Sequence, residues 1–281
     1  MENLKFFLLE SIKSEIKDYD DVAILFSGGT DSLTCLFSCL ELGIRPKLYT
    51  FHLDGYFSED AKYAKKIAEY FQLDLDIVVI KTDQEILFNN IIDLIKTYNI
   101  YNKIRLQILY PFPFLFSKIK EKYVITGLSA DTLYGTNYHC KLKGVKEFNE
   151  MRKNSLILDE IDGYEALKNM AIKFSKKLIA PYRNKQTIDY FLSHSWDQLN
   201  TPIQKNLSVE AFDKYFKLEK FYRESSSLPI NSKLNKLLET LIDSKLNENN
   251  RETIEEIFKD IYYDKIKLTS EKNNNKFLND H

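Results

Sequence analysis

At 281 residues against about 150 for an average domain, the chain has room for one α/β body or two closely joined ones. A hydrophobic content of 44% with 29% charged residues excludes a collagen-like, mucin-like or wholly disordered protein. Forty basic against 41 acidic side chains leave a formal charge of −1, so no net positive field is available to hold a phosphate backbone, and a nucleic-acid partner is disfavoured.

Leu4, Phe7, Leu8, Ile12 and Ile16 recur at helical spacing and predict a first helix. The continuous apolar run at 22–26 reads as a buried parallel strand and ends at Ser27-Gly28-Gly29. From Ser32 to Leu42 the spacing is helical again, and Gly43 sits where a glycine would end that helix, so strand, glycine turn and helix open a βαβ unit. A second strand is predicted over 47–51. It is followed by Ser58 as N-cap, with Glu59 and Asp60 as an acidic first turn, for a helix running to about Phe71. A third strand is expected at 76–80, helices over 83–98 and 104–120, and a fourth strand at 123–126 that runs into Gly127-Leu128-Ser129-Ala130-Asp131. This alternation predicts a doubly wound parallel α/β sheet.

Beyond about residue 140 the periodicity is helical, over 164–178, 185–194, 204–217, 233–246 and 252–263, and predicts no strand. The expected organisation is therefore an α/β core at 1–140, a helical substrate or catalytic subdomain at 141–268 and a flexible tail at 269–281, whose polar run cannot be buried. Cys35, Cys39 and Cys140 are odd in number and form no C-x-x-C pair, which argues against a disulfide framework or zinc knuckle and for a reducing compartment. The N-terminus shows no signal-peptide pattern and no apolar run approaches a membrane span, so a cytoplasmic protein with no membrane partner is expected.

The chemistry concentrates in Ser27-Gly28-Gly29-Thr30-Asp31-Ser32, between a buried strand and a helix start. Glycines let backbone N–H groups turn toward an anion, the helix start adds positive potential, and Ser27, Thr30 and Ser32 bring hydroxyl donors, so the turn suits phosphate. No lysine follows the glycines and they are adjacent, which excludes both the G-x-x-x-x-G-K-[ST] loop and the G-x-G-x-x-G fingerprint. Asp31 alone would repel phosphate, so its presence implies a divalent cation, Mg²⁺, bridging carboxylate and phosphate oxygens.

These residues match S-G-G-x-D-S at every fixed position, and the chain resembles the PP-loop ATP pyrophosphatases, whose fold is the doubly wound HUP type. The resemblance implies ATP as cofactor, cleaved between its α and β phosphates, with the loop holding pyrophosphate while a substrate oxygen attacks the α phosphorus to form an adenylate. Within that superfamily the chain is most similar to the synthetase domain of asparagine synthetase and β-lactam synthetase. The stretch from Thr126 to Asp131 resembles the second motif, whose aspartate shares the metal, so Asp131 would pair with Asp31. Leu25, Phe51 and Gly127 are further candidates for binding the nucleotide, Phe51 because it lies at the carboxyl end of the second strand, where doubly wound sheets hold ligands. The stretch from Ile179 to Lys185 resembles the v-P-F-x-D segment beside the substrate pocket. Residues 202–212 resemble the x-K-x-x-L-R-x-A-F helix, which makes Lys205 the candidate for stabilising charge at the α phosphate.

Leu128 and Ser129 depart from the family's Glu and Gly, or from the Tyr of β-lactam synthetases, and a leucine takes no proton. Either the nucleophile is neutral and reactive without a base, as ammonia or a sulfide is, or Tyr134, Glu147 or Tyr182 substitutes. The chain shows no glutaminase domain ahead of its first strand, so a separate protein supplying ammonia or sulfur is an open partner. The implied function is an AMP- and pyrophosphate-forming, amide-forming ligase acting on a small molecule. A sulfur-transfer enzyme, with Cys140 as carrier, and a non-catalytic ATP-binding module are the alternatives. His52 and Asp54, at a strand end, and the aromatic run from Tyr110 to Phe114 are further candidates for lining a pocket, and the oligomeric state has no signature.

Overall fold

In the computed structural model, which describes residues 2–136, 138–141, 143–158, 163–218, 221–224, 227–241 and 251–263, five parallel strands alternate with helices. α1 (Glu2–Glu15) precedes β1 (Val22–Leu25), and α2 (Thr30–Glu41), β2 (Lys47–Leu53), α3 (Glu59–Phe71) and β3 (Leu75–Ile80) follow. The next connection carries α4 (Gln84–Tyr98), α5 (Lys103–Leu109) and α6 (Phe112–Phe116) before β4 (Tyr123–Ile125). Then come α7 (Ala130–Tyr134), α8 (Tyr138–Lys141), α9 (Val145–Leu158), α10 (Tyr164–Lys173) and β5 (Lys177–Ile179). The remaining helices are α11 (Lys185–Leu192), α12 (Trp196–Asn200), α13 (Asn206–Ala211), α14 (Asp213–Phe216), α15 (Leu228–Asn231), α16 (Leu234–Leu241) and α17 (Arg251–Tyr262).

The sheet order is β3-β2-β1-β4-β5, with Ala23 of β1 in register with Lys47 on one side and Val124 on the other. Side chains alternate along β1, so Val22 and Ile24 enter an apolar cluster with α1 and α2, whereas Ala23 and Leu25 enter a second cluster with α4, α5 and α6. A strand buried on both faces explains the unbroken apolar run at 22–26. The result is the doubly wound parallel α/β architecture, followed by a largely helical C-terminal region. Chain order reverses between β1 and β4, and loops leaving the carboxyl ends of two such strands diverge and open a crevice.

Three elements differ from the periodicity. The helix expected over 164–178 stops at Lys173; Ser175 turns at φ +58°, Lys176 N–H closes on Ala171 O at 2.8 Å, and Lys177–Ile179 pair with β4 as an added edge strand. Three residues are too few to show alternation, so a strand held by pairing alone leaves no mark in the sequence. The helix expected over 104–120 divides at Pro111, which has no N–H to continue α5 and instead starts α6. The helix expected over 204–217 divides at Phe212. Residues 242–246 of another expected helix and the polar tail at 269–281 lie outside the described residues. Both apolar clusters combine chain from either side of residue 140, one joining Leu36 to Phe212 and the other Leu115 to Met170.

Candidate active site

The first glycine turn is held open by backbone geometry. Gly28 adopts φ +69°, and a Cβ there would meet Tyr63 Cδ1 at 3.2 Å and Ala64 N at 3.3 Å, so only glycine lets the turn lie against α3 in that conformation. Ser27 Oγ accepts from Gly29 N–H at 3.2 Å and lies 3.3 Å from Ser32 Oγ, which donates to Gly29 O at 3.0 Å. Gly29 caps α2, which thereby starts at Thr30, two residues before the apolar periodicity begins. The first turn of α2, with its unpaired N–H groups, faces the crevice beside β4.

The loop after β4 closes on this turn. A Cβ on Gly127 would stand 2.9 Å from both the carbonyl carbon and Cβ of Asp31, so the two loops touch backbone to backbone. Lys205 joins their carboxylates: its Nζ is 2.6 Å from Asp31 Oδ2 and 2.6 Å from Asp131 Oδ1. The residue is 1% exposed, adopts φ +59° just before α13, and is fixed by its own N–H donating to Asn200 Oδ1 at 3.0 Å. Burial acts to lower the Lys205 pKa, but Asp31 and Asp131 together outweigh it and raise the value above the usual lysine range. The ammonium therefore stays charged. Burial pushes the Asp31 carboxyl up to about 6, with Lys205 pulling down and Asp131 pushing up.

Asp31 Oδ1 is buried and has no partner, whereas the Asp131 side chain is 64% exposed. One orphaned carboxylate oxygen beside a second, reachable carboxylate fits a hard divalent cation that draws its other ligands from water and phosphate. No cluster of three or more His, Cys, Asp or Glu side chains suited to a metal occurs among the described residues, so such an ion would depend on ligands brought by the nucleotide.

Two adjoining cavities meet at this point. The larger, about 240 Å³, is lined by Leu25, Ser27, Asp31 and Ser32, by Thr50 and Phe51 of β2, and by Gly127, Leu128 and Asp131. Its far wall is apolar, from Ile108, Phe112 and Leu115, so Phe112 is the member of the aromatic run that reaches the cavity, while Tyr110 is buried in the core. The smaller, about 120 Å³, is lined by Ser27, Gly29, Thr30, Asp31, Asp131 and Lys205. Gly28 lines neither; its contribution is the bend.

Sequence reasoning missed several residues here. Arg223, Asp60 and Asn231 line the smaller cavity, and Leu228, Pro229 and Ser232 cover the larger. Asp60 carried the signal of an acidic first turn; Arg223 carried none. Ser129 lines the larger cavity at φ +74°, and its hydroxyl is buried without a partner. Ser129→Gly is expected to raise stability by about 1 kcal/mol through relief of that left-handed conformation. Denaturant unfolding checks it, and a loss of stability would show that the hydroxyl holds the turn.

Other candidates lie away from both cavities. His52 Nδ1 is 2.8 Å from Leu53 O and its ring packs edge-on against Phe57, and Asp54 is exposed. Tyr134 and Tyr182 are buried, with hydroxyls 2.6 and 3.3 Å from Ser208 Oγ, and burial drives both pKa values above the usual phenol range. Glu147 pairs with Lys143 on the surface. Cys140 is 5% exposed with Sγ 3.8 Å from Met151 Sδ, and Cys35 and Cys39, on the buried face of α2, are enclosed in the core.

The family model described as asparagine synthase matches residues 3–249 of the chain. No curated protein matches it. Among solved structures the chain is similar to one described as a predicted subunit of tRNA methyltransferase from Methanocaldococcus jannaschii, at 18% identity over 62% of this chain and 75% of that one, with a TM-score of 0.33. No helix among the described residues is long and apolar enough to cross a membrane.

Proposed function

The chain belongs to the asparagine synthase family, enzymes of the ATP pyrophosphatase class that act by ATP-dependent adenylation, and from that premise we propose that it is an amide-forming ligase releasing AMP and pyrophosphate. The carboxylate or carbonyl oxygen of a small substrate forms a bond to the α phosphorus as the bond to the bridging oxygen breaks and pyrophosphate leaves. An amine or ammonia then attacks the activated carbon, AMP departs, and the nitrogen loses a proton.

The observation that carries this reading is the ammonium of Lys205 fixed 2.6 Å from both Asp31 and Asp131 where the two cavities meet. In this reading Ser27, Gly29, Thr30 and Ser32 cradle the pyrophosphate and Gly28 sets the bend. Leu25, Phe51 and Gly127 border the nucleoside in the larger cavity. Lys205 meets charge that grows on the phosphoryl group in the transition state, so its binding tightens there and lowers the barrier. Two cations, Lys205 and Arg223, face four carboxylates, Asp31, Asp60, Asp131 and Glu224, around the smaller cavity. A polyphosphate enters such a site with a divalent cation; Mg²⁺ held by Asp31 and Asp131 would supply that neutralisation.

Two placements bear on the nucleophile, and the second of them weighs against sulfur carried by this chain. Leu128 faces the larger cavity with a side chain that accepts no proton, and the buried Tyr134 and Tyr182 hydroxyls lie outside it, which suits a nucleophile that arrives neutral, as ammonia does. Cys140 is packed against Met151 rather than at either cavity, so it is not positioned to carry sulfur to an adenylate.

The test is incubation with Mg·ATP, pooled carboxylates and ammonium, following AMP, ADP and pyrophosphate, with Asp31→Asn as control. AMP and pyrophosphate are expected from one pool and not from the control. ADP and phosphate, or ATP bound without cleavage under every pool, would sink the ligase reading, the latter in favour of an ATP-binding module.

A further inference from the structure

The smaller cavity holds a second cation that neither the motifs nor the family match assigns. Arg223 reaches it from the segment 221–224, 196 residues along the chain from Ser27, and its Nη2 donates to Ser27 O at 3.1 Å and to Asp60 Oδ1. Asp60, in the first turn of α3, is 7% exposed, and its Oδ1 also accepts from Asn231 Nδ2 at 2.9 Å. The guanidinium lies 4.9 Å over the ring of Tyr63, whose hydroxyl donates to Phe221 O at 3.2 Å. Phe221 is fully buried against Tyr70 and Phe71, and the Tyr222 hydroxyl donates to Gln204 O at 3.2 Å, beside Lys205.

The side chain is thus fixed on three sides before any ligand enters. Both of these hydrogen bonds use Nη2, and a guanidinium carries five N–H donors in a planar fork, so other donors remain for oxygens entering the cavity, where the side chain is still 25% exposed. Lys205 stands on the Asp31 side of the turn and Arg223 on the Ser27 side. A pyrophosphate group between them would meet one cation toward the bond that breaks and one toward the outer phosphates.

We propose that Arg223 binds the pyrophosphate part of ATP, the outer phosphates before cleavage and the leaving pyrophosphate after it, with Asp60 as its positioning residue. This rests on the ligase reading for its chemistry, but it can be tested by binding alone. The probes are inorganic pyrophosphate, ATP and AMP, each with Mg²⁺, titrated calorimetrically against wild type and Arg223→Gln. Loss of a charge-assisted contact is expected to weaken pyrophosphate and ATP about tenfold and to leave AMP nearly unchanged, because AMP lacks the phosphates concerned. Arg223→Lys, which keeps a charge without the fork, is expected to fall between the two, and it serves if the glutamine variant does not fold. Equal weakening of all three ligands would make Arg223 a structural clasp and overturn the proposal, as would unchanged pyrophosphate affinity or a wild type that binds no pyrophosphate. Wild-type release of ADP would instead sink the ligase reading, with the contrast between pyrophosphate and AMP still deciding Arg223.

Discussion

Lys205→Met should lower AMP and pyrophosphate release by roughly 10²–10³-fold, the scale of losing one preorganised donor aimed at transition-state charge. The KM for ATP should move far less, since an interaction made mainly in the transition state appears in kcat. Methionine has a similar reach and an apolar stem suited to a residue that is 1% exposed, so the surroundings of α13 stay filled. A second readout follows from the ion pairs. With the ammonium gone from between Asp31 and Asp131, the positive charge nearest to a divalent cation there is removed, and half-saturating Mg²⁺ should fall even as turnover collapses. Unchanged kcat would remove Lys205 from the chemistry. Parallel losses of ATP affinity and turnover would make it a clamp for the two loops and nothing more.

The parts of this site that were legible in the sequence are those whose geometry is set locally. Residues 22–43 form a strand, glycine turn and helix in unbroken succession, so Ser27 to Ser32 could be placed before any contact was known. Asp131, in the first turn of α7, was legible through its resemblance to a second motif that follows the fourth strand. Lys205 was legible only through a motif, because its partner Asp31 is 174 residues away. Arg223 has no local pattern, and Asp60, 163 residues away, showed only as part of an acidic first turn: their pairing exists because Phe221 packs on α3 and carries the arginine with it. β5 was invisible for a related reason, since three residues at a sheet edge are chosen by β4 rather than by their own alternation. The sequence also suggested that Asp31 and Asp131 share a metal, and the structure adds that a lysine ammonium bridges that same pair.

Gly127→Ala should be the most damaging single-methyl change near the site. The added Cβ would lie 2.9 Å from two Asp31 atoms and 3.1 Å from its carbonyl oxygen, and because two of the three are backbone, no side-chain rotation relieves the contact. The β4 loop or the first turn of α2 must move instead. Overpacking of this kind costs about 1–3 kcal/mol of stability, which unfolding in denaturant measures. The effect on turnover should be greater than that figure implies, because Asp31 and Asp131 ride on the two loops being pushed apart and Lys205 must span both. A misplacement of about 1 Å in such an array can cost on the order of 10²-fold in rate. Gly43→Ala offers the contrast: its φ of +73° is strained for alanine too, but a Cβ there meets nothing within 4 Å, so it should lose stability and keep turnover. If Gly127→Ala proves as active as Gly43→Ala at equal stability, the close approach of the two loops is packing, and the alignment of Asp31, Asp131 and Lys205 does not depend on it.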